Sequence, residues 1–289
     1  MIGMNALGTN GRLGNQMFQY AALVGIAKNL GYDYCIPDHS KVTWFDRMDG
    51  DQIITQHHQL QHLFEMNNLG DRFGLIEGGN EINLEQAEFC QELFDECPDD
   101  STLYGYFESY HYFENVEEEL RKDFVIRDHI LSAAEKFHKD NKTDHPVCIN
   151  VRRGKDFIRV QDFHPPCVVE YYKECIERIG KDRQYVIITD DLSWCKEVFT
   201  GSNFIFNDTV PDDLIKGHFD MAVGSLCNDF IISNSTFSWW IAYLGSNNTC
   251  YQNKIYAPDP WFGSALKHID TEGYYPPYFE KVKREIVRI

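Results

Sequence analysis

Short apolar runs closed by polar clusters recur through the second half of the chain, at 147–151, 185–189, 203–206, 229–233 and 254–257. They do not alternate polar with apolar, so they read as strands covered on both faces. Between them, 168–180, 192–199, 212–226 and 237–245 carry apolar residues at helical spacing. This alternation predicts a parallel sheet with helices on both faces. The start reads as a strand at 2–7, a glycine-rich turn, a helix to about 30 and a short strand ending near 36. Residues 37–125 are mixed and polar, and no sheet order is readable there. The loop 141–146 is the best boundary, giving expected domains of 1–143 and 144–289. The tail, 278–289, reads as a charged amphipathic helix. No repeat or low-complexity segment interrupts the pattern.

The polar clusters lie where ligands bind in open α/β sheets, at the carboxyl ends of the strands. After 147–151 come Arg152, Arg153 and Gly154, then Lys155 and Asp156. Arginine is always charged and offers a planar fork that matches phosphate oxygens. An Arg-Arg dipeptide alone reads as a surface ion pair. After 229–233 come Asn234 and Ser235, and an apolar run begins near Ser238. Serine here serves equally as a helix cap or as part of an anion site at a helix start. After 185–189 come Asp190 and Asp191. They read as helix caps or as acceptors for sugar or base donors. In the early turn, Gly8, Gly11 and Gly14 are not spaced as the dinucleotide fingerprint, and no Gly-Lys-Ser/Thr follows.

Composition removes several classes. With 27 basic against 45 acidic side chains and a net charge of −18, nucleic acid is excluded as a partner. Residues 81–123 alone hold 14 acidic and 2 basic side chains, which reads as a solvated acidic face with helical segments. The 43% hydrophobic content supports a sizeable core, and the aromatics, at 14%, serve either a core or a sugar cleft. Nine cysteines, at 35, 90, 97, 148, 167, 175, 195, 227 and 250, include no C-x-x-C pair, so no zinc site is expected. Scattered buried thiols suit a reducing compartment. No 18-residue apolar stretch and no leader pattern occur, so the expectation is a cytoplasmic protein without a membrane span. The sequons at Asn141, Asn207, Asn234 and Asn247 carry no meaning in that compartment.

Taken in order, these segments resemble glycosyltransferase family 11, the inverting α-1,2-fucosyltransferases. Residues 11–21 resemble the family's G-x-L-G-N-Q-M-F-Q-Y-A, and 150–156 resemble H-x-R-R-G-D. Residues 189–195 are similar to S-D-D-x-x-W-C, 234–240 to N-S-S-F-S-W-W and 254–262 to K-I-x-x-A-P-x-x-W-F. Asn150 stands at the family's histidine, and Lys155 pushes the acid to Asp156. Asparagine keeps hydrogen bonding but carries no titrating proton. The likeness spans roughly 8–262 and suggests the soluble bacterial or viral type rather than the membrane-anchored animal one.

The resemblance implies a GT-B arrangement of two Rossmann-like domains, acceptor-side first and GDP-sugar-binding second, with the glycine turn facing the cleft. It implies GDP-fucose as donor and a galactose-containing glycan as acceptor at its 2-hydroxyl. Arg152 and Arg153 would stabilise the leaving diphosphate, a clamp that can replace a metal ion, so no metal is expected. Asn150, Arg152, Arg153, Asp190, Asp191, Asn234, Ser235 and Ser238, with Gly11, Gly14, Asn15 and Gln16, become the candidate donor-binding residues. Arg152, Asp156 and His164 are the catalytic candidates, with Asp162 a further acid for the base role. Two rivals remain: a fucosyltransferase of α-1,6 or protein-O-directed regiochemistry, and a non-catalytic nucleotide-sugar-binding protein.

Overall fold

The computed structural model of the chain describes residues 1–38, 45–49, 52–56, 59–84, 88–246 and 253–288, with only the backbone at 45–49 and 52–56. Two compact units emerge, one of residues 1–127 with 270–274, the other of 128–269 with 275–289.

In the first unit β1 (Ile2–Gly3) leads through the glycine-rich turn into α1 (Leu13–Leu30). There follow β2 (Tyr34–Cys35), β3 (Phe45–Asp49), β4 (Gln52–Gln56), α2 (Leu60–Leu63), β5 (Asn80–Leu84), α3 (Gln91–Glu96), β6 (Ser101–Gly105) and α4 (Glu117–Asp123). Four strands form a parallel sheet in the order β2-β1-β6-β5, and β3 pairs antiparallel with β4. Helix α1 is buried from Leu13 to Ala27, apart from a partly exposed Asn15. It has no polar face, because it runs through the middle of the unit. Gly25 permits that path: a Cβ there would lie 1.8 Å from the Tyr112 carbonyl oxygen.

The second unit begins with α5 (Asp128–Asp140), which precedes the 141–146 loop and packs on a later helix of this unit. Then come β7 (Val147–Val151), α6 (Lys155–Arg159), α7 (Val169–Ile179), β8 (Tyr185–Thr189), α8 (Leu192–Val198), β9 (Phe204–Phe206), α9 (Lys216–Ser225), β10 (Asp229–Ile231), α10 (Thr236–Gly245), β11 (Ile255–Asp259) and β12 (Phe279–Lys283). All six strands are parallel, in the order β12-β11-β10-β7-β8-β9. This is the doubly wound order, which reverses between β7 and β10.

Strands β7 and β8 are buried at every position. Val147, Ile149 and Val151 pack with Tyr171, Tyr172 and Cys195 of α7 and α8. On the opposite face Ile188 of β8 and Ile241 of α10 close against Gly224 of α9. Each such aliphatic side chain contributes about 1.5–3 kcal/mol on burial.

The tail differs from the expected helix. Residues 279–283 form strand β12 along β11, with Phe279 and Val282 buried. Residues three apart suit a helix stripe or a short edge strand, and the open edge of β11 favours the strand. The acidic stretch differs too: Asp123 and Glu108 are 0% and 8% exposed. Ile289, Cys250 and the sequon at Asn247 lie outside the described residues. Among the described residues no helix is long and apolar enough to cross a membrane.

Candidate functional site

The turns after β7 and β10 leave adjacent strands, because Val147, Cys148 and Ile149 pair with Asp229, Phe230 and Ile231. They therefore flank the point where the strand order reverses, the usual ligand crevice of such sheets.

The arginines sit in a carboxylate cluster. Arg152 Nη2 donates to Asp156 at 2.5 Å, and Nη1 pairs closely with Asp190. The other Asp190 oxygen accepts the Arg153 backbone N–H at 2.7 Å. Gly154 leaves room for this: a Cβ there would meet Asp190 Oδ2 at 2.6 Å. Arg152 also lies over the Phe157 ring at 5.1 Å. Arg153 stacks on the Trp194 ring at 4.2 Å, a favourable cation–π contact. Its Nε is 3.9 Å from Asp191, buried and without a hydrogen-bond partner. An unpaired buried donor on a fixed cation is what an anion would satisfy.

The acids resolve into distinct roles. Asp191 caps α8, accepting the Trp194 N–H at 3.2 Å and the Ser193 hydroxyl at 3.0 Å. Asp190 is the partner of Arg152 and of the Arg153 backbone. Both carboxylates thus have protein partners while remaining partly open, with side chains 30% and 26% exposed. Asp156 sits in the first turn of α6 and Lys155 begins that helix. Asp162 is 58% exposed and faces Arg288 at 3.6 Å.

The serine turn is largely buried. Ser238 and Asn150, expected at the nucleotide, are 0% and 4% exposed. The Ser238 hydroxyl donates to the Asn150 carbonyl and lies 2.8 Å from the Ser233 hydroxyl. Asn150 points across the sheet to α10, so its partner is this hydroxyl pair and not an arginine. Asn234 donates to the Trp261 carbonyl at 3.0 Å and is buried as well. Ser235 occupies the cap position of α10 without a side-chain capping bond and stays partly exposed. The polar groups of this turn thus divide: Ser233, Asn234 and Ser238 are tied within the protein, while Ser235 stays partly exposed at the start of α10.

His164 lies in the loop after α6, stacked on Phe157 at 5.7 Å and against the Phe262 edge at 5.4 Å. Burial, then the charges of Arg152 and Arg284, hold its pKa down at about 4. The imidazole is therefore neutral near pH 7 and able to accept a proton, though as a weak base. Arg284 braces this loop from β12's end, donating to the carbonyls of Pro165 at 2.7 Å and Pro260 at 2.9 Å.

In the first unit the glycine turn is closed by side chains. Gly11 has φ +91, and a Cβ there would strike Asn15 at 2.6 Å. Gly14, the second residue of α1, is buried. Gln16 accepts the Gln59 N–H at 2.8 Å, a structural contact. Asn15 donates to Glu108 at 2.6 Å, and Tyr274 donates to the other Glu108 oxygen at 2.7 Å. Burial pushes the Glu108 carboxyl up to about 7. Sequence reasoning missed Glu108 by reading it as part of an acidic face; the signal was an acid among five aromatics at 104–112. Among the described residues no group of three acidic, histidine or cysteine side chains is placed to hold a metal ion.

The model of glycosyl transferase family 11 matches residues 79–271. Galactoside 2-alpha-L-fucosyltransferase Sec1 of Mus musculus is 24% identical over 280 residues, covering 92% of this chain and 71% of its own. The O-antigen biosynthesis glycosyltransferase WbnK of Escherichia coli is 24% identical over 299 residues, covering 89% and 95%. In structure, the chain is similar to POFUT1 in complex with GDP-fucose, with a TM-score of 0.54, 13% identity and coverage of 86% and 94%. The fold is accordingly α/β of the GT-B type.

Proposed function

Because the chain belongs to glycosyltransferase family 11, we propose that it moves fucose from GDP-fucose to the 2-hydroxyl of a galactose-containing glycan, with inversion and without a metal. The second unit would hold the donor and the first would handle the acceptor. The observation that carries the reading is the arginine turn at the reversal point of a doubly wound sheet. The name of the mouse relative supplies the sugar and the linkage, and the structural neighbour's complex supplies GDP-fucose as donor.

In the proposed reaction the bond between fucose C1 and the β-phosphate oxygen breaks, and C1 bonds to the galactose O2. Negative charge grows on the departing diphosphate. Arg153, with its unsatisfied Nε, and Arg152, held by Asp156 and Asp190, stabilise that charge beside the α10 amides. His164 is neutral and can take the proton of the acceptor hydroxyl. In the second unit Ser235 would meet a phosphate oxygen of the donor, and in the first unit Asn15 would meet a sugar hydroxyl. Arg152 must share its fork with two carboxylates, so it acts as a fixed point in the site more than as a mobile clamp.

The rival of a non-catalytic binder is motivated by Lys155, which begins α6, and by Asn150. That residue is buried among hydroxyls, so the exchange with histidine lies behind the site, and its bearing on turnover is small. The test is incubation of the pure protein with GDP-fucose and lactose-type acceptors in excess EDTA, with the linkage read by NMR. The expected result is a 2-linked product at an undiminished rate. A 6-linked or protein-linked product, GDP binding without turnover, or a rate restored only by Mn²⁺ or Mg²⁺ would each overturn its part.

A further inference from the structure

Glu108 emerges three residues beyond β6, at the same edge of the parallel sheet from which β1 runs into the glycine turn. It is 8% exposed, and both its partners are neutral: Asn15 on one oxygen, Tyr274 on the other. Burying a carboxylate on neutral partners is costly, and the site recovers little Coulombic energy. The same two segments are tied again by Gln19, whose amide nitrogen donates to the Asn10 carbonyl at 2.8 Å and the Gly105 carbonyl at 3.0 Å. Asn15 is therefore held between Gly11, which has no Cβ to displace it, and Glu108, which takes its amide nitrogen. An asparagine amide presents opposite hydrogen-bonding characters at its two ends, so the partner at one end dictates what the other offers.

We propose that Glu108 is a positioning residue, fixing which end of the Asn15 amide meets the sugar substrate, with the Tyr274 hydroxyl fixing Glu108 in turn. This rests on the reading of Asn15 as a substrate contact. It makes one chemical demand of position 108, an acceptor oxygen facing Asn15, and none for charge. Glutamine meets the demand. Its carbonyl accepts from Asn15, and its NH₂ donates to the Tyr274 hydroxyl, which turns from donor to acceptor. Methionine fills the space and offers no such acceptor.

The test is a double-mutant cycle on transfer from GDP-fucose. Glu108→Gln should stay within about threefold of wild type, while Glu108→Met should lose about tenfold or more, mainly in kcat. In an Asn15→Ala background, Glu108→Met should change the rate by less than about twofold, because the residue it acts through is gone. Equal losses from Gln and Met would assign Glu108 a charge or proton role and overturn the proposal. So would an undiminished Met effect beside Asn15→Ala, the mark of a purely structural residue.

A second readout does not depend on turnover. In ¹⁵N-asparagine-labelled protein, the Asn15 side-chain amide is identified by its absence from Asn15→Ala. It should stay near its wild-type position in Glu108→Gln and move in Glu108→Met. An amide displaced by glutamine, or unmoved by methionine, overturns the proposal even in an active enzyme. Should the methionine variant fail to fold, the glutamine comparison alone decides. Absence of fucose transfer by wild type would instead sink the proposed function, with the amide still reporting on Glu108.

Discussion

At the scale of single residues, His164 shows how surroundings set chemistry. Its ordinary pKa is about 6.5, and burial with two nearby guanidinium groups brings it down to about 4. A folded-state pKa below the unfolded value means the unfolded chain binds the proton more readily in acid. The contribution of neutral His164 to stability is thus fully present above pH 6.5 and is lost as the pH falls toward 4. His164→Gln should therefore melt closer to wild type at pH 5 than at pH 7.5, as read by paired melting curves. Parallel curves across that range would show that the imidazole is not held neutral by the fold.

Residues were legible where type and position agreed. Arg152 and Arg153 announce a strand-end cation pair in any reading. Their partners did not announce themselves: that Asp190 serves both arginines while its neighbour caps a helix depends on a crossing of two loops 37 residues apart. Asn150 became a donor-binding candidate through the family resemblance, and Ser238 through its place at a helix start. They are instead a buried link between β7 and α10, and nothing local in the sequence separates those cases. Glu108 was hidden by its acidic neighbours.

At the scale of elements, strands β7 and β8 were readable to the residue, since strands between two helical layers are nearly continuous apolar runs, broken in β7 only by Asn150. The tail was not, because a five-residue edge strand with two buried side chains is compatible with a helix pattern. In the first unit β1 and β2 fall where strands are expected, at 2–7 and ending near 36, but each is only two residues long. The turn after β8 yields a contrast between neighbours. Asp191→Ala removes the α8 cap and should cost about 1 kcal/mol of stability with transfer nearly unchanged. Asp190→Ala releases Arg152 and the Arg153 N–H together, and should depress transfer far more than it depresses the melting temperature. Matched melting and rate measurements decide; the reverse ranking would mean that Asp191 meets the substrate.

At the scale of the molecule, the doubly wound order of the second unit explains why the legible motifs belong together. The Arg-Arg and Asn-Ser turns lie 82 positions apart in sequence, yet β7 and β10 are neighbours, so both turns rise at the reversal point. An acidic chain with net charge −18 gathers two arginines and an α10 amino terminus at that one place. The central claim is that this place receives the diphosphate of a GDP-sugar. Calorimetric titration of GDP into wild type and Arg152→Lys tests it most directly. Lysine keeps the charge and abandons the fork. The account predicts binding to wild type, and a loss of about tenfold or more, about 1.4 kcal/mol, in a variant that melts normally. Equal GDP affinity in the two proteins would contradict it.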